Sequence, residues 1–189
     1  MKAILISLSV ALLMVGCEES STPSDPVDSP KAIDLDDNET RDKIVAGAID
    51  EDKLKGRDKE DPYFYAPNQL MPYTGWARRM HDNGQILGLL QYKGGLYHGL
   101  STFWHENGQK KNETTLKYSN YHGLEISWFE NGQKSEEANW NEGDLMSVDV
   151  WKPNGEKCPV SNVVNGNGVR VWYNVDGTER GRRTYKDGH

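Results

Sequence analysis

Cysteine is almost missing from these 189 residues: Cys17 and Cys158 are the whole complement. That leaves one disulfide or two loose thiols, and no short Cys/His spacing of the kind that builds a zinc site. A basic excess is missing too. The chain carries 22 Lys and Arg against 29 Asp and Glu. The imbalance lies early, because residues 18–61 hold 15 acids and 7 bases while residues 62–189 hold 14 of each. A neutral body has no electrostatic footprint for a phosphate backbone, and the small cluster Arg180, Arg182, Arg183 and Lys186 does not change that, so nucleic acid is set aside as a partner. Long hydrophobic runs are absent: the mostly apolar stretch Ala3 to Val15 falls short of the roughly 20 residues a spanning helix needs. No Ser, His, Asp signature and no phosphate-cradling glycine loop with its lysine is present; the glycines of Asn165 to Gly168 read as a turn. The expectation is a protein without enzymatic activity, bound metal or cofactor.

What the N-terminus does contain is MKAILISLSVALLMVGC, a single Lys2 before the apolar run, which is the pattern of a secretory signal. Leu13 to Cys17 resembles a bacterial lipobox, with Met14 where leucine is usual. The resemblance implies cleavage after residue 16, a lipid on Cys17 and an exported protein anchored to a membrane, facing the periplasm or the cell surface. Pairing Cys17 with Cys158 instead would tie a tail to a late strand. Residues 18–30, EESSTPSDPVDSP, are Ser, Pro and acid. They cannot bury enough apolar surface to offset the entropy of ordering. The expected layout is a signal peptide at 1–16, a lipidated cysteine and flexible tether at 17–49, a cap at 50–72 and repeats at 73–189. Ile44, Val45, Ala48 and Ile49 fit one helical face, but Gly47 and flanking charge allow only a short helix. Tyr63 to Tyr65 are expected to form a first strand over the start of the repeats.

The repeats announce themselves: WHENGQKK at 104–111 returns as WFENGQKS at 128–135 with six of eight letters kept. Turn glycines fall at Gly84, Gly108, Gly132, Gly155 and Gly177, at separations of 24, 24, 23 and 22. DNG, ENG, ENG, PNG and VDG each read as an Asn-Gly type hairpin corner with a two-residue loop and positive φ at its centre. Gly75, Gly99, Gly123 and Gly168, with Ser147 in their place in the fourth unit, read as the return. Two columns run through the units. Met80, Trp104, Trp128, Trp151 and Tyr173 precede the turns; Tyr92, Leu116, Trp140, Val163 and Tyr185 follow them. Period-two alternation on each strand gives one richer and one more polar face. Burying large rings at roughly 1.5 to 3 kcal/mol each can hold a thin stack of hairpins together. The fold class is therefore all-β: an elongated antiparallel sheet of tandem hairpins after a disordered tether. Pro159 in the fourth unit predicts an irregular edge there.

Glycine, aromatic, ENGQK and a strand ending in Tyr resemble the bacterial variant of the MORN repeat over about residues 50–189, most strongly from Tyr73 to Met146. The leader AIDEDKLKGRDKEDPYFYAPNQLMPYTG is similar to that of MORN-variant proteins of the YwqK antitoxin type. The resemblance implies a hairpin ladder used for contact with proteins or membranes, and the antitoxin type implies a bound toxin. The expected function is a lipid-anchored interaction module that holds a protein partner at the envelope; an antitoxin or immunity role and the binding of cell-wall glycan, peptidoglycan included, are the alternatives. The candidate binding ridge is Trp104, Trp128, Trp140, Trp151 and Tyr173, which serves either as packing between hairpins or as a surface for rings and partners. The pairs His81/His105 and His98/His122, each 24 apart, are expected to be copied structural residues rather than metal ligands. Cys158 is expected to be an apolar filler.

Overall fold

A computed structural model describes residues 33–56 and 60–189. The expected signal peptide, Cys17 and the Ser/Pro segment lie outside the described residues. The described residues between Asp34 and His189 belong to one compact unit. Helix α1 (Asn38–Gly47) precedes strand β1 (Ile49–Asp50) and a single 3-10 turn at Glu51–Lys53. Seven longer strands follow: β2 (Gly75–Met80), β3 (Ile86–Lys93), β4 (Leu96–Trp104), β5 (Lys110–Lys117), β6 (Asn120–Trp128), β7 (Lys134–Asn141) and β8 (Asp144–Val150). With β1 paired parallel to β2 and every later pair antiparallel, these make one eight-stranded sheet in sequence order. Strands β9 (Gly168–Tyr173) and β10 (Glu179–Tyr185) form a separate hairpin sheet. The protein is all-β, built from tandem hairpins.

The Asn-Gly corners differ from the expected two-residue loop. His81 N donates to Gln85 O at 2.8 Å and Gly84 N to His81 O at 2.9 Å, which closes a three-residue loop, and the same pair of bonds recurs at the other four corners. Only the glycine needs the left-handed region, as at Gly84 with φ 81°. The residue before it acts through its side chain. An Oδ1 of Asn83, Asn107, Asn131, Asn154 and Asp176 accepts the main-chain N–H two residues on, at 2.9 to 3.0 Å. The amide of Asn107 also donates to Glu130 O at 2.7 Å, and that of Asn131 to Pro153 O at 3.0 Å, so the second corner is bonded to the third and the third to the fourth.

The returns also fall elsewhere than expected. They are two-residue turns at Gly94-Gly95, Tyr118-Ser119, Glu142-Gly143, Asn165-Gly166 and Asp187-Gly188, with positive φ at both residues of each. Gly99, expected in a return, sits inside β4 opposite Leu116. Its φ is 101°, and a Cβ there would lie 2.0 Å from the Gln91 side-chain oxygen. The glycine is kept by that left-handed backbone, since the flexible Gln91 side chain could turn aside.

The expected tether to residue 49 is shorter. Asp37 caps α1 by accepting from Thr40 N at 2.8 Å, and Leu35, Ile44, Val45 and Ala48 pack on Leu89 and Trp104. A sparse apolar set suffices because it meets a sheet that the repeats already build. Tyr63 to Tyr65 form no strand, only the bridge Lys55 to Tyr65, although Phe64 N still donates to Gly95 O at 2.9 Å and its ring packs on Tyr92.

Leu89 and Leu90 are neighbours on β3 and belong to different buried clusters, one with Trp104 and one with Tyr92. The sheet is therefore covered on both faces at its start, by α1 on one and by Phe64 and Tyr73 on the other. On the second face one row crosses seven strands, Ala77, Leu90, Ser101, Thr114, Glu125, Ala138 and Val148, and all seven are buried. The fourth unit is irregular, as Pro159 predicts: β8 meets the returning chain through isolated bridges and bonds such as Cys158 N to Val150 O at 2.7 Å. The β9–β10 hairpin then packs Val171 and Tyr185 with Ala138, Val148 and Val150 in a third cluster.

Candidate functional site: a cleft at the third to fifth units

A cleft of about 460 Å³ opens where the ends of β6 and β8 meet the β9–β10 hairpin. Trp128, Phe129, Trp151, Trp172 and Tyr173 give it rings from three units, and Glu136, Arg170 and Arg180 give it charge. Glu136 lies on β7 opposite Ser127 and Val150. Arg170 reaches it from β9: Nε donates to Oε2 at 2.8 Å and a second guanidinium nitrogen donates to Oε1. Their side chains are 6% and 12% exposed, so this ion pair is buried. Burial raises the Glu136 carboxyl above the ordinary glutamate value, and the Arg170 charge opposes that. The guanidinium is held between rings, 5.8 Å from the centre of Trp140 and 5.1 Å from that of Trp172.

The tryptophans before the turns are clamped by the unit that precedes them. Lys110 Nζ lies 5.8 Å over Trp128 and pairs with Glu113 at 2.7 Å; Lys134 Nζ lies 5.4 Å over Trp151 and pairs with Glu137 at 2.6 Å. Each lysine charge is thus met by an acid three residues on. Arg180, in contrast, is exposed and makes no ion pair or hydrogen bond among the described residues. Glu130, also at the cleft, is similarly exposed, and its carboxylate meets only the His105 ring among the described residues, at 3.8 Å. Tyr173 donates its hydroxyl to Cys158 Sγ at 3.0 Å, and that bond, with burial second, pushes the phenol up to about 12. Cys158 is buried, as a filler would be.

The five residues of the expected ridge do not form one surface. Trp104 is buried beneath α1 and takes no part in the cleft, because the segment read as tether folds over it. Trp140 belongs to the opposite face, where its indole N–H donates to Glu125 Oε2 at 2.7 Å and its ring stacks on Tyr121. Trp128, Trp151 and Tyr173 do line the cleft. Phe129, Glu136, Arg170 and Trp172 were not singled out. Trp172 stands next to a ridge residue, but no sequence spacing pairs Glu136 with Arg170, 34 positions away. His81 and His105 each place Nε2 within 3.0 to 3.1 Å of the main-chain oxygen of the next unit's Trp, a structural task.

A second hollow, about 600 Å³, lies where the cap meets the sheet. Most of its polar groups are spent on one another. Glu51 pairs with Arg79 and accepts from the hydroxyls of Tyr92 and Tyr97, both at 2.8 Å, and Asp50 pairs with Arg78 at 2.7 Å. This hollow is a seam that fixes the cap to the repeats. Comparison of the chain with protein families, with curated proteins and with solved structures finds no match.

Proposed function

We propose that the protein is a non-catalytic binding module, held at the cell envelope by a lipid on Cys17, which grips a protein partner in the cleft. The observation that supports this is the convergence of rings from three units at a cleft with an exposed Arg180 that has no partner among the described residues, since aromatic side chains and arginine are the residues that anchor interfaces. Val175 and Arg180 are both exposed at the rim, so Val175→Asp/Arg180→Glu changes the cleft without touching the core. Full-length protein in detergent is immobilised and challenged with solubilised envelope. The expected result is a protein retained by the wild type and lost by the double variant. Equal retention by both, or none by either, overturns the reading.

A second reading is glycan binding, favoured by the half-buried rings of Trp128 and Trp151, which line the same cleft. Retention on purified peptidoglycan that falls on Trp128→Ala and Trp151→Ala would support it. No retention by the wild type discards it.

A further inference from the structure

Each of the first four two-residue returns leads into a segment that pairs antiparallel with the strand before it, from β3 with β4 to Val164 with Asn167. The fifth return, Asp187-Gly188, is closed in the same way by Lys186 N donating to His189 O at 3.1 Å. Among the described residues β10 has one strand neighbour, β9. No other strand among the described residues pairs with its outer edge. Because Lys186 points its N–H outward across that turn, alternation places the main-chain groups of Thr184 and Arg182 outward as well. The edge of β8, by comparison, is engaged by the bonds from Cys158 and to Val163.

The charge of this hairpin is unlike the rest of the chain. Residues 168–189 carry five basic and three acidic side chains, against a net −7 for the whole protein. Arg180, Arg182 and Arg183 are all exposed, with Arg182 turned to Glu179 and Arg183 lying 4.9 Å over Tyr185. Basic residues on an edge deter a second copy: antiparallel self-pairing centred on Arg182 sets that arginine opposite itself. The same residues favour an acidic strand.

We propose that the outer edge of β10 is the docking strand for an extended acidic segment of the partner protein, added antiparallel to the ladder. The inference rests on the protein's being a partner-binding module, but it concerns a different surface from the cleft. A fluorescein-labelled ten-residue peptide alternating Glu with Val is titrated against full-length protein in detergent and followed by anisotropy. Saturable binding is expected, with affinity about tenfold lower when every second peptide nitrogen is methylated, since main-chain edge bonds are lost while charge is kept. Arg182→Glu/Arg183→Glu, both exposed, should lower affinity at least as much, while Leu124→Ser, exposed on β6 and outside the cleft lining, should leave it unchanged. No saturable binding, equal binding of the methylated peptide, or equal binding by the charge-reversed variant overturns the proposal. So does tenfold tighter binding to a chain lacking residues 18–30, which would assign the edge to that acidic segment. Failure here, with cleft-dependent capture intact, leaves the reading of the cleft standing.

Discussion

Arg170→Met separates the two roles of the buried ion pair at the cleft. In the wild type the guanidinium makes two bonds to Glu136 and lies between Trp140 and Trp172. Methionine keeps much of the apolar volume and leaves a carboxylate that is 6% exposed without a counter-charge. Losing one partner of such a pair costs about 3 to 5 kcal/mol, whereas replacing both by apolar residues is near neutral or stabilising. Arg170→Met and Glu136→Leu should each lower urea stability by that amount, read by tryptophan fluorescence, and Arg170→Met/Glu136→Leu should recover to within about 1 to 2 kcal/mol of the wild type. The pH dependence of Arg170→Met carries a definite sign. Burial already raises the Glu136 carboxyl, and without Arg170 nothing opposes it. A raised acid binds its proton more tightly in the folded state, so this stability is present below the unfolded value near 4.3 and is lost as pH rises through the folded value. The deficit of Arg170→Met should be smaller at pH 5 than at pH 8. If the two single costs simply add in the double variant, the pair is not coupled and the account of the cleft floor is wrong.

Three further outcomes follow from the geometry. Glu51→Ala should cost about 1 to 3 kcal/mol in urea unfolding, because it leaves the hydroxyl of the buried Tyr92 without its acceptor while the part-exposed Arg79 turns to water; a loss under about 0.5 kcal/mol would show that the cap is not held there. Although burial acts to raise the Glu51 carboxyl, hydrogen bonds from Arg79, Tyr92 and Tyr97 leave it lowered, so its stabilisation exists above the unfolded value near 4.3 and fades as pH falls through the folded one. Tyr118 and Ser119 occupy the left-handed region at φ 51° and 68°, and Tyr118→Asn/Ser119→Gly should raise stability by about 1 kcal/mol; calorimetry showing no rise would mean that the tyrosine repays its strain through His98, whose ring lies 4.8 Å away. Asn107→Asp keeps the acceptor for Gln109 N and removes the donor to Glu130 O, so it should cost about 0.5 to 1.5 kcal/mol, less than Asn107→Ala, and equal costs would deny the bond between corners any weight.

The hairpin ladder was legible because it is local. A glycine every 22 to 24 residues with an amide or acid before it states where the chain turns, and the alternating apolar residues state which faces are buried. Which turn type each glycine serves was less legible, since Gly99 and Gly94 look alike in sequence; only the register against Leu116 and the oxygen of Gln91 tells them apart. The Ser/Pro composition near the N-terminus suggested a tether, but composition cannot say where it stops. Leu35 and Ala48 are too few to make a core of their own, and they are buried because Leu89 and Trp104 wait for them on the sheet.

Sequence alone therefore determined the repeating unit, its corners and the all-β class, since turn chemistry and side-chain alternation act between residues a few positions apart. Tertiary structure decided which tryptophans are covered, that Glu136 meets Arg170 and that the fifth hairpin folds into a separate sheet. Those depend on contacts across 34 or more positions and on irregular pairing after Pro159, and no local preference fixes either.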